Sequence, residues 1–151
     1  MRSSVCATKR TRGTEKRVAI RQAKQKDLQA CSKILRTREL AGAHDWYPTP
    51  RVLKRCLGKY FLVAEEGGRI TGCIVVEPLR NGVIGWWFAV AEGARGRGVG
   101  SALLDEIERT AKRDGKYFFL IYSKVGSKAV RFYRKRGYES GQDYTELIKS
   151  L

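Results

Sequence analysis

An arginine-glycine loop is the part of this sequence best suited to chemistry. The apolar run Trp86-Trp87-Phe88-Ala89-Val90 leads, after four residues, into Arg95-Gly96-Arg97-Gly98-Val99-Gly100-Ser101. A helical pattern starts there at once. Glycines at a strand-to-helix junction let backbone N–H groups approach a ligand closely, and the helix N-terminus adds a partial positive charge. Arg95 and Arg97 add full charges. These residue types in this order suit a phosphate or diphosphate.

The loop is not a nucleotide P-loop, because Val99-Gly100-Ser101 stands where Gly-Lys-Ser/Thr is required. The dinucleotide pattern Gly-x-Gly-x-x-Gly also fails, since Ser101 holds its third glycine position. What remains is Arg95-x-x-Gly98-x-Gly100. It resembles the acyl-CoA signature of the GNAT superfamily of N-acetyltransferases. A second segment, Ala129-x-x-Phe132-Tyr133-x-x-x-Gly137-Tyr138, is similar to that family's other common motif. One glycine motif is unspecific; two in order, with one helix and one strand between them, are specific.

The resemblance implies acetyl-CoA as cosubstrate, a primary amine as acceptor, and direct transfer without an acyl-enzyme or a metal. It places the diphosphate on the backbone of Arg95, Gly96, Arg97, Gly98, Val99 and Gly100, with the Ser101 hydroxyl beside it. Phe88, Ala89 and Val90 would offer backbone groups to the pantetheine arm. In that fold the chain after Val90 splays from the 117–122 strand, and the arm fills the gap. Phe132 and Tyr133 form the motif's aromatic pair. Attack of an amine on a thioester releases a thiolate, and a phenol near the sulfur can protonate it. Tyr133 has that role by resemblance. Glu92 is the expected base that keeps the amine neutral, with Glu77, His44 and Asp45 as alternatives.

Two positions depart from the family. Gly126 stands where many relatives carry Asn, seven residues before the motif tyrosine, and Ile121 where N-terminal acetylases often carry Glu. Both weaken an assignment to ribosomal-protein N-termini. The acceptor stays open, and residues 42–57 should decide it.

These side chains need a framework. Residues 18–20 read as a short strand, and Asp27 as the cap of a helix with Leu28, Cys31, Ile34 and Leu35 on one face. Thr49-Pro50 opens a short helix that stops at Gly58. Residues 60–65 and 69–77 form a hairpin around Glu66-Gly67-Gly68, and Asn81-Gly82 turns into the 83–90 strand. Val99, Leu103, Ile107 and Ala111 fall at helical spacing. Residues 117–122 form a continuous apolar strand, as expected when both faces are covered. Ser127 caps a helix closed by Gly137, and a last strand pair surrounds Ser140-Gly141. The fold expected is α/β (α+β): a mixed, mostly antiparallel central sheet flanked by helices, over residues 17–151.

The chain has 151 residues, 42% apolar, and a formal charge of +16. Residues 1–17 carry six basic residues against one acid, and residues 95–136 twelve against four. Part of this charge suits an anionic cosubstrate. The rest suits an acidic partner, nucleic acid, or a solvated basic surface with no partner. Residues 1–16 read as a disordered basic tail, or as a transit peptide. No apolar run is long enough for a membrane span. Cys6, Cys31, Cys56, Cys73 and the single His44 have no metal spacing. Cys31 and Cys73 fall on apolar faces, and a reducing, cytoplasmic setting is the simplest account. Family members often dimerise, so a homodimer belongs among the expected partners. The competing reading is a non-catalytic basic module for nucleic acid or ribosomes. It would stack bases on Trp86, Trp87, Phe118 and Phe119, residues whose strand positions equally suit a core.

Overall fold

Alternation along the strands divides the interior in two. In the computed structural model, which describes residues 18–37, 40, 47–141, 147 and 149, five strands form one sheet. They are β1 (Ala19–Gln22), β2 (Phe61–Glu66), β3 (Arg69–Pro78), β4 (Gly82–Val90) and β5 (Phe118–Ile121). They lie in sequence order; three pairs are antiparallel, and β4–β5 is parallel. On β2, Leu62 and Ala64 face one layer while Phe61 and Val63 face the other.

The first layer is filled by α3 (Val99–Arg113). Its Val99, Leu103, Leu104, Ile107 and Ala111 are buried. Burying one such leucine or isoleucine side chain is worth about 1.5–3 kcal/mol. The helix lies close against β3 because residue 72 is glycine. A Cβ there would stand 3.0 Å from Leu103 Cδ1 and 3.2 Å from Val99 Cγ1. This packing fixes where the first turn of α3 sits.

The second layer holds α1 (Leu28–Ile34) and α2 (Pro50–Lys54). Thr49 caps α2 by accepting from the Val52 N–H at 3.3 Å. Cys31 and Cys73 lie buried in this layer. A hydrogen bond between the two thiols, reinforced by burial, pushes the Cys73 thiol up. Asp27 does precede α1, but its carboxylate does not cap it. It accepts from the Lys24 N–H at 2.7 Å and from both terminal nitrogens of Arg21.

Expectation and structure differ at β5. Its burial alternates instead of being continuous, and Phe118 is 51% exposed. Phe119 and Ile121 pack towards α3, whereas the second layer takes in β2, β3 and late β4 but no described residue of β5. Trp86 is likewise 49% exposed, while Trp87 packs in the second layer. Residues 138–141 form no strand. Residues 147 and 149 of the expected final pair are in no strand either, and its residues 142–146 and 148, the 1–16 tail, and His44 to Trp46 lie outside the described residues.

Candidate active site

Four elements meet at the start of α3. The chain leaves β4, makes a short turn at Glu92–Ala94, and passes through the glycine loop into the helix. Gly96 and Gly98 have φ of +73° and +81°. A Cβ on either would meet nothing within 4 Å, so backbone conformation, not crowding, requires glycine there. Gly98 precedes α3 without capping it by a side chain. The helix ladder begins with Ala102 N–H to the Gly98 carbonyl, 2.9 Å. The amides of Val99, Gly100 and Ser101 therefore have no acceptor within the helix. Open space at the glycines and an uncapped helix start fit a diphosphate.

Gly100 is different. A Cβ on it would lie 3.4 Å from Phe88 Cζ and 3.8 Å from Phe132 Cζ. The loop, β4 and α4 (Lys128–Lys135) converge at that point. Ser127 caps α4 by accepting from the Val130 N–H at 3.3 Å. The Phe88 ring centroid stands 6.1 Å from that of Phe132 and 6.3 Å from that of Tyr133. Burial pushes the Tyr133 phenol up to about 12. The group stays protonated at physiological pH, as an acid must be before it donates.

The pairing of β4 with β5 stops before Phe88. The β4–β5 pairing covers only Gly82 to Gly85 against Phe118 to Ile121. Pairing thus ends at Gly85, where β5 itself ends at Ile121. A bulge against β3 follows at once: Val75 pairs with Trp87 and Val76 with Gly85, leaving Trp86 as the extra residue. A bulge bends its strand, here one residue beyond the last β5 partner.

The arginines behave unlike free charges. Arg95 Nε donates to the Val90 carbonyl at 3.1 Å, so that carbonyl already has a donor. Arg97 Nη2 donates to Glu66 Oε2 at 2.9 Å. Ala89 faces the second layer, and Ser101 lies in the first turn of α3. Glu92 sits on the exposed turn after β4, where its carbonyl accepts from the Arg95 N–H. Glu77 accepts from the Trp86 indole at 2.6 Å.

Sequence reading expected Gly137 to close α4, and missed the Glu66 partner and the part Tyr138 plays in that closure. Gly137 has φ of +85°. The Tyr138 N–H donates to the Tyr133 carbonyl and the Gly137 N–H to that of Arg134. This is a Schellman motif, and its end-to-end apolar contact is Tyr133 against Tyr138, with centroids 5.5 Å apart. The spacing Tyr-x-x-x-Gly-Tyr is its signature. Among the described residues no His, Cys, Asp and Glu group could hold a metal, and no helix is long and apolar enough to cross a membrane.

A family model described as an acetyltransferase (GNAT) domain matches residues 58–140, just over half of the chain. No curated protein sequence matches. Among solved structures, Ard1 from Thermoplasma volcanium is 25% identical, with 83% of this chain and 84% of that one covered and a TM-score of 0.72. A ribosomal-protein-alanine N-acetyltransferase from Brucella melitensis is 26% identical over 80% of this chain and 84% of its own, TM-score 0.68. Rv2747 from Mycobacterium tuberculosis, solved in complex with CoA, shares the fold at 19% identity. It covers 84% of this chain and 76% of its own, with a TM-score of 0.68.

Proposed function

The chain belongs to the acetyltransferase (GNAT) domain family, and from that premise we propose that it transfers acetyl from acetyl-CoA to a primary amine by direct attack. The observation that carries this reading is the convergence of the uncapped α3 start, Phe88 and the Phe132–Tyr133 pair beyond the last β4–β5 partners.

Acetyl-CoA, when bound, supplies an activated acetyl group and a thiolate leaving group. The amides of residues 98–101 hold the diphosphate, and residues 88–90 line the path of the pantetheine arm. The amine nitrogen forms a bond to the thioester carbon while the carbon–sulfur bond breaks and its electron pair goes to sulfur. Tyr133 gives that sulfur its phenolic proton. Glu92, directly or through water, takes a proton from the amine.

The acceptor of the ribosomal-protein-alanine N-acetyltransferase is not carried over to this chain. Ile121 stands at the strand position where such enzymes often use Glu, and it packs towards α3. A panel of small amines, polyamines, lysine peptides and peptide N-termini, followed by thiol release, tests the reaction. No thiol release with any acceptor, together with no stabilisation by acetyl-CoA, overturns it. Stabilisation by an oligonucleotide alone would establish the binding-module reading instead. With an acceptor in hand, Glu92→Gln should lower turnover by about 10²-fold if Glu92 is the base.

A further inference from the structure

Tyr138 joins three elements around the proposed acid. Its hydroxyl donates to Glu108 Oε1 of α3 at 2.8 Å. Its ring meets Phe119 of β5 edge-on at 5.9 Å, and Tyr133 of α4 at 5.5 Å. Its backbone N–H donates to the Tyr133 carbonyl at 3.1 Å.

The helix that carries Tyr133 needs such an anchor. α4 has eight residues, none of them fully buried. A helix this short is marginal without tertiary contacts. Two polar links run from its C-terminal end to α3, Arg136 to Asp105 and Tyr138 to Glu108. The Asp105 side chain is 53% exposed, and pairs in that setting contribute little. Glu108 and Tyr138 are both partly buried. α3 is also the helix whose first turn would hold the diphosphate. A link from Tyr138 to α3 therefore sets the acid's distance from the cosubstrate.

We propose that Tyr138 is a positioning residue for acetyl transfer: its hydrogen bond to Glu108 holds the acid, whose ring it touches at a tilt, in register with the cosubstrate site. The inference rests on the assignment of Tyr133 as the acid. The hydroxyl, not the ring, carries the effect, because the Schellman turn and its ring contact survive without it.

Tyr138→Phe, Glu108→Leu, Glu108→Gln and Tyr133→Phe should be compared with the wild type in the full chain. Misplacement by ~1 Å costs about 10²-fold, so kcat in Tyr138→Phe and Glu108→Leu should fall by about 10- to 10²-fold. The acetyl-CoA KM should stay within about twofold, because the diphosphate contacts are intact. Glu108→Gln keeps an acceptor oxygen and should remain near wild type. The Tyr138→Phe/Glu108→Leu double variant should lose no more than either single one. Without acetyl-CoA, amide hydrogen exchange should quicken in residues 128–137 of Tyr138→Phe and stay unchanged in residues 99–113.

Wild-type kcat in Tyr138→Phe, or a raised KM with kcat intact, overturns the proposal. If Tyr138→Phe does not fold, the two Glu108 variants decide the same question. A slow Tyr133→Phe beside a fast Tyr138→Phe removes only the positioning role. A fast Tyr133→Phe removes the acid assignment, and this inference with it.

Discussion

Arg97 Nη2 donates to Glu66 Oε2 across 2.9 Å, tying the glycine loop to the β2–β3 hairpin. The Glu66 side chain is only 6% exposed, so this arginine answers a buried carboxylate before it answers any ligand. Removing Arg97 would leave that carboxylate without this partner. An unsatisfied buried group costs about 1–3 kcal/mol, and Arg97→Ala should destabilise the free protein by about that amount. Thermal or urea unfolding without ligand measures it. An unchanged melting temperature would return Arg97 to the role of a free loop charge.

The backbone of the loop should matter more to acetyl-CoA than its arginines. A ligand at 100 times its dissociation constant stabilises the fold by about 2.7 kcal/mol. Gly98→Asp should abolish that stabilisation, because it adds a negative charge and a side chain at a φ of +81°. Gly100→Asp should do the same by placing a negative charge in the first turn of α3, where its Cβ already touches Phe88. Melting curves with and without acetyl-CoA are the measurement, and full CoA-dependent shifts in both variants would move the site elsewhere.

Tyr133→Phe keeps the ring that packs on Phe88, Phe132 and Tyr138 and loses only the hydroxyl. General acid catalysis contributes about 10²–10⁴-fold, so turnover should drop by that factor with little change in melting temperature. With the phenol pushed up to about 12, the wild-type rate should show no alkaline limb from this group in the usual assay range. Wild-type turnover in the variant, where chemistry limits the rate, would leave water or another side chain as the acid.

Asp27 links β1 to the start of α1. Its hydrogen bonds from Arg21, ahead of the one from the Lys24 N–H, hold its carboxyl below the usual range. A carboxyl depressed in the folded state stabilises fully above its unfolded value, about 3.9, and loses that contribution as pH falls through the lower folded value. Hydrogen bonds to charged groups are worth about 1.5–3 kcal/mol, so Asp27→Asn should destabilise by about 2 kcal/mol at neutral pH. The variant should also lose less stability than the wild type on acidification. Urea titrations from pH 7 to pH 3 check both signs, and parallel acid limbs would contradict them.

Deleting residues 1–16 should leave acetyl-CoA stabilisation and turnover intact, because the segment has no apolar periodicity to add to a core. If the basic tail is a partner-binding arm, the truncated chain should lose salt-sensitive nucleic-acid binding while keeping its chemistry. A truncated protein that fails to bind acetyl-CoA would show the tail to be part of the domain.

The sequence by itself determined whatever depends on local pattern. The period of Val99, Leu103, Ile107 and Ala111 set α3, Thr49-Pro50 set the start of α2, and Gly67-Gly68 set a hairpin, because caps, turns and amphipathic faces are written within a few residues. The loop and the Phe132–Tyr133 segment were legible for the same reason. Tertiary structure alone decided what depends on partners distant in the chain. The run Phe118-Phe119-Leu120-Ile121 reads as buried on both faces, but burial is set by what packs against it, and only Phe119 and Ile121 find cover. The bulge at Trp86 follows from its register with Val75 and Val76, which no local pattern fixes. The Arg97–Glu66 pair spans 31 positions and the Tyr138–Glu108 bond spans 30. Groups at such separations meet only in the folded chain, where the sheet and the packing of α3 onto Gly72 bring them together.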